Sequence, residues 1–92
     1  MTREIALEHK AKGNAFFTAK NFQPAIEEFT KAIEADPTDH VFYSNRSACY
    51  ASLGNFPMAL TDATKCTELK PDWLKGYTRV GGALMGLGKY DD

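Results

Sequence analysis

The chain has 92 residues, 43% hydrophobic and 25% charged, with a net charge of −1. That suffices for one small domain with a modest core, and the near-neutral balance argues against wholesale nucleic-acid binding. No apolar run approaches the ~18 residues of a membrane span, and the opening MTREIALEHK lacks the apolar region of a secretory signal. Two cysteines, Cys49 and Cys66, fit free thiols in a reducing compartment, so a cytoplasmic, or also nuclear, location is expected.

In chain order, EIALEHKAKGNAFFTAK is helical in composition and is broken by Asn21-Phe22. Pro24 suits a first helical turn, where a missing N–H costs nothing. AIEEFTKAIEA follows, with Ile26, Phe29 and Ile33 at helical spacing, and Pro37 ends it. Asp39 or Thr38 can cap the next helix, HVFYSNRSACYASL. Gly54-Asn55-Phe56 is the turn, Pro57 opens a fourth helix and Pro71 closes it. A fifth starts at Asp72, the expected N-cap, and runs toward LGKYDD. No strand alternation competes. The chain stops at Asp92, where another helix is expected. Val80, Leu84 and Leu87 are therefore expected to lack cover, as in a fragment or a self-associating chain.

Shifted so that Asn21 falls on Asn55, the sequence superposes on itself without gaps. Ala25 then falls on Ala59, Thr30 on Thr64 and Pro37 on Pro71. A second, equal shift brings Tyr43 onto Tyr77, Gly54 onto Gly88 and Phe56 onto Tyr90. The units are 6–39, 40–73 and a partial 74–92. A helix–turn–helix period of about 34 residues resembles the tetratricopeptide repeat (TPR). The resemblance is carried by Gly13, Phe16, Ala25, Phe29, Ala32 and Pro37 and their equivalents. Ala63 departs from the usual aromatic, and Gly81 falls on a close-packing position. The resemblance implies an all-α fold, a right-handed solenoid of about two and a half repeats.

In such a stack the first helix of each unit lines a concave face. Lys10, Asn14 and Phe17 share one face by spacing; Asn45 and Ala48 share another, and Lys75 and Arg79 a third. Asn is a poor mid-helix residue because its amide competes for backbone bonds. Three cations and two amides with no carboxylate among them form an anion-binding arrangement.

KAKGNAFF, YSNRSACY and PDWLKGYTR are similar to the carboxylate clamp of co-chaperone TPR domains. The resemblance extends to the N-terminal domain of the Hsp-organising (Hop/Sti) scaffold family, which a start at Met1 fits. It implies that Lys10, Asn14, Asn45, Lys75 and Arg79 hold the C-terminal Glu-Glu-Val-Asp tail of a heat-shock chaperone. The seventy-kilodalton class is favoured and the ninety-kilodalton class is a second partner. Phe17 and Ala48 can form an apolar floor for the Val or pack in the core. The alternatives are a general TPR interaction scaffold and a regulatory TPR segment of a larger enzyme such as a protein phosphatase.

The chain itself is expected to be no enzyme, with no cofactor and no metal. No Cys or Ser has a recognisable base partner, no Gly-rich phosphate loop precedes a helix, and the cysteines lack a third zinc ligand. His9 and Trp73 are expected to pack and His40 to be exposed. Glu27, Glu28, Glu34 and Asp36 are expected to form a solvated face.

Overall fold

The computed structural model describes residues 2–88, which form five α-helices and no strand. They are α1 (Thr2–Thr18), α2 (Phe22–Ala35), α3 (His40–Ser52), α4 (Phe56–Leu69) and α5 (Leu74–Gly86). The first residues of α2 and α4, Phe22 and Phe56, are equivalent under the repeat shift, as are those of α3 and α5, His40 and Leu74. The sequence period is therefore the structural period. Tyr90 and the rest of the partial third unit beyond 88 lie outside the described residues.

The turns show why the period holds. Lys20, Gly54 and Gly88, each one repeat from the next, all take positive φ (64°, 79° and 75°). After α1, Asn21 N–H donates to the Phe16 carbonyl at 2.8 Å and Lys20 N–H to that of Phe17 at 2.9 Å. After α3, Asn55 N–H donates to Tyr50 at 2.8 Å and Gly54 N–H to Ala51 at 3.0 Å. These paired bonds satisfy the last carbonyls of each helix and reverse the chain into the next one. At the other end of each unit, the Tyr43 hydroxyl donates to the Pro37 carbonyl (3.0 Å) and Tyr77 to Pro71 (2.7 Å).

Two apolar clusters hold the stack. Ala25, Ile26, Phe29 and Cys49 pack with Phe16, Phe22 and Tyr50. Ala6, Ala32 and Phe42 pack with Ile33 and Ala35. Gly13 lets α1 and α2 close, since a Cβ there would lie 2.6 Å from the Phe29 ring. One repeat later both partners change. Gly13 becomes Ser47 and Phe29 becomes Ala63, so the departure at Ala63 goes with the loss of the glycine as well as of the ring. Ser47 is buried and its hydroxyl donates to the Ala59 carbonyl at 2.8 Å.

Several expectations need correction. Trp73, not Asp72, is the N-cap of α5; Asp39, the cap of α3, is the residue that falls on Trp73 in the repeat. Asp39 accepts from Val41 N–H at 2.8 Å, and Thr38 instead hydrogen-bonds Asp36. Gly81 has open space around it; the close-packed glycines of α5 are Gly76, which is buried, and Gly86, where a Cβ would meet the Phe56 ring. A Cβ at Gly76 would stand 3.1 Å from Thr67 and 3.3 Å from Cys66. Val80, Leu84 and Leu87 are half-buried; the exposed apolar residues of α5 are Leu74 (81% exposed), Tyr77 and Met85.

Of the polar residues expected to be packing or solvated surface, His9, Glu28 and Asp36 are paired, whereas Glu27 and Glu34 are exposed as expected. His9 Nδ1 lies 2.8 Å from Glu28 Oε1. This hydrogen bond holds the Glu28 carboxyl below its ordinary pKa, against the opposing effect of burial. Asp36 takes part in an ion pair with Arg3, which also reaches Asp39. His40 is half-buried against Trp73, edge to face with centroids 4.6 Å apart.

Candidate anion-binding site

Helices α1, α3 and α5 stand side by side, each contributing to one cavity of ≈ 210 Å³. It is lined by Asn14 and Phe17 of α1, Asn45 and Ala48 of α3, Lys75 and Arg79 of α5, and Phe29 of α2. Six of the seven expected site residues therefore converge, from all three units of the repeat. Lys10 does not line the cavity; it is half-buried, one turn from Asn14 toward the N-terminus.

Asn45 Nδ2 donates to Asn14 Oδ1 at 3.3 Å, bridging α1 and α3. That bond uses the Asn14 carbonyl, leaving its amino group and the second N–H of Asn45 as donors. Neither mid-helix asparagine is a stray polar residue. Each is fixed by the other, which orients the donors before a ligand arrives.

The two cations of α5 are held differently. Lys75 Nζ lies over the Trp73 ring, 5.8 Å from its centroid. Arg79 Nε donates to Ser44 Oγ at 3.2 Å. Among the described residues, no carboxylate lies within ion-pair distance of Lys10, Lys75 or Arg79. Arg46, one position from Asn45, is the contrast. Its Nε and Nη2 grip Asp62 at 2.7 and 2.8 Å, and its Nη1 donates to Thr30 at 3.0 Å. That buried pair joins α2, α3 and α4 and takes Arg46 out of ligand chemistry.

The apolar part of the lining is Phe17, Ala48 and Phe29. Phe17 is 38% exposed and packs edge to face on Phe22 with centroids 5.5 Å apart. Phe29 and Ser44 escaped the sequence reading. Phe29 reads as core from its helical spacing, and its ring is fully buried yet reaches the cavity floor. Ser44 had a signal in the repeat register, where it falls on Lys10 and Thr78, all three polar.

A larger, shallower concavity of ≈ 440 Å³ lies on the outer side of α4, lined by Leu60, Thr61, Thr64, Lys65 and Glu68. It has one cation and one carboxylate, so it lacks the one-signed donor set. Cys49 and Cys66 are buried thiols in the core. Burial pushes Cys49 up to about 11, partly offset by the positive charge of Arg79, so it is neither a thiolate nor a nucleophile at neutral pH. Among the described residues no group of three His, Cys, Asp or Glu could hold a metal ion.

Comparison with known proteins gives this geometry a lineage. Two tetratricopeptide repeat family models match residues 11–39 and 28–61. A curated relative, the heat shock protein sti1 homolog of Schizosaccharomyces pombe, is 60% identical over 87 residues, covering 95% of this chain. The chain spans 15% of that relative's length. The solved first TPR of Spaghetti (RPAP3) bound to the HSP90 peptide SRMEEVD superposes with a TM-score of 0.92 at 34% identity. The match covers 95% of this chain and 69% of that one. The second TPR domain of human RPAP3, in complex with the HSP70 peptide SGPTIEEVD, superposes at 0.93 with 30% identity over 97% of this chain and 74% of that one. The repeated helix–turn–helix unit, the concave cavity and these matches together establish that the chain belongs to the tetratricopeptide repeat family.

Proposed function

We propose that the chain is a peptide-binding module whose groove holds the free C-terminus of an acidic tail, the Glu-Glu-Val-Asp end of a heat-shock chaperone. The observation that carries this reading is the convergence of Asn14, Asn45, Lys75 and Arg79 on one cavity without a carboxylate. The peptides in the two RPAP3 structures, SRMEEVD and SGPTIEEVD, end in the same four residues, which supports the choice of ligand. The seventy-kilodalton class is the favoured partner, by resemblance to the N-terminal domain of the Hop/Sti scaffolds.

A terminal Asp carries two carboxylates, one on its side chain and one at the chain end, whereas an internal acidic residue carries one. The amides of Asn14 and Asn45 and the ammonium of Lys75 serve that pair; Arg79 serves it or the acidic residues upstream. Lys10, outside the cavity lining, adds positive potential at its rim and reaches the tail by rotating its four-carbon stem. Phe17 and Ala48 form the apolar floor for the Val. The activity is binding alone, with no bond of the tail made or broken.

Hydrogen bonds to charged groups contribute roughly 1.5–3 kcal/mol each, and ordering a flexible tail opposes them, so affinity on the order of micromolar is expected. Calorimetry with a Glu-Glu-Val-Asp peptide as free acid and as C-terminal amide tests the reading. The amide is expected to lose most of the binding. Equal affinity for both would refute terminal recognition and leave a general interaction groove.

A further inference from the structure

The two arginines beside the groove are committed in opposite ways. Arg46 meets Asp62 side-on through Nε and Nη2, so its charge is matched by a buried carboxylate. Arg79 uses the same Nε but on a neutral hydroxyl, Ser44 Oγ, at 3.2 Å. Ser44 is fully buried and sits on α3, one residue before Asn45, while Arg79 is on α5. An arginine has two edges that can meet a carboxylate bidentately, Nε with one Nη, or the two Nη groups together. With Nε occupied by Ser44, only the Nη edge remains for a ligand, and its charge is uncompensated.

We propose that Ser44 is a positioning residue of the anion site: it anchors Arg79 to α3 so that a carboxylate is met end-on by the Nη groups beside Asn45. This rests on the peptide-binding reading above and deepens it. The arginine is directed without its charge being cancelled, which a carboxylate at position 44 would do. It also ties α5 to the helix carrying Asn45, so donors from two helices keep a fixed separation.

The test combines nuclear magnetic resonance with calorimetry. The Arg79 Hε proton of the unmodified protein should exchange with solvent slowly, and Ser44→Ala should remove that protection. For the free-acid Glu-Glu-Val-Asp peptide, Ser44→Ala should weaken binding about three- to ten-fold, the effect of one net hydrogen bond. In an Arg79→Lys background, where one ammonium replaces the fork, Ser44→Ala should change affinity less than about two-fold. An unprotected Hε in the unmodified protein would overturn the proposal, and that measurement needs no variant to fold. So would equal losses in both backgrounds, which would mark a purely structural role, or no loss with Arg79 present. If the unmodified protein binds the amidated peptide equally well, the groove reading itself fails. Hε exchange still reports separately whether Ser44 holds Arg79.

Discussion

At the scale of single residues, charge in this protein is decided by what stands opposite it. His9 occupies the register of Tyr43 and Tyr77, yet instead of tethering a proline carbonyl it pairs with Glu28 across α1 and α2. That hydrogen bond lowers the Glu28 pKa from its ordinary 4.5. A carboxyl with a depressed folded-state pKa contributes stability that is present above the unfolded value and is lost as pH falls through the folded one. Glu28→Gln removes this contribution, so its melting temperature should fall less steeply than that of the unmodified protein on acidification below about pH 5. Parallel curves would mean that the His9 contact contributes nothing to stability.

At the scale of elements, the helix pairs are set by their turns and by small residues where helices meet. The turn needs a left-handed residue once per repeat, and Lys20 fills in the first unit what Gly54 and Gly88 fill in the others. A side chain in that conformation is strained by roughly 1–2 kcal/mol, offset in part by the greater unfolded-state freedom of glycine. Lys20→Gly should therefore stabilise the protein by about 0.5–1 kcal/mol, raising the melting temperature by roughly 2–8 °C for a chain of this size. A drop in thermal stability would show that Lys20 makes a contact worth more than the strain. The swap of Gly13 and Phe29 for Ser47 and Ala63 replaces a ring packed on a glycine by two small residues, one of which hydrogen-bonds the facing helix through Ala59.

At the scale of the whole molecule, three helices from three repeat units bring Asn14, Asn45, Lys75 and Arg79 to one cavity in a body 46 × 28 × 17 Å. Net charge conceals this, because the carboxylates lie elsewhere, several of them paired with Arg3, His9 or Arg46. Binding of an acidic tail should weaken steadily from roughly 50 to roughly 500 mM salt as the exposed cations are screened. An affinity independent of salt, measured by the same calorimetry, would argue against charge-led recognition. The other open feature of α5, the stripe of Leu74, Tyr77 and Met85, points away from this chemistry and stays exposed among the described residues.

Much of this was legible before any fold was known. Helix placement follows from local backbone preferences, which proline, glycine and apolar spacing write directly into each segment. The recurrence from unit to unit then assigns the same geometry to each, and six of the seven expected site residues line one cavity. What it missed are relations between helices. Gly76 rather than Gly81 is packed because the residues opposite it belong to α4. Asp72 yields the cap position to Trp73, which stands at the register of Asp39 but gives α5 no side-chain hydrogen bond, while the Asp72 carboxylate lies by Lys70. Arg46 and Arg79 look alike along the chain, one following Asn45 and the other Thr78 within a polar stretch. Only the approach of Asp62 to one and of Ser44 to the other makes the first a buried strut and leaves the second charged toward the groove. Repetition in a sequence specifies which residues are equivalent. The partner each one meets depends on distances across the stack, where a few ångströms decide between a neutralised charge and an available one.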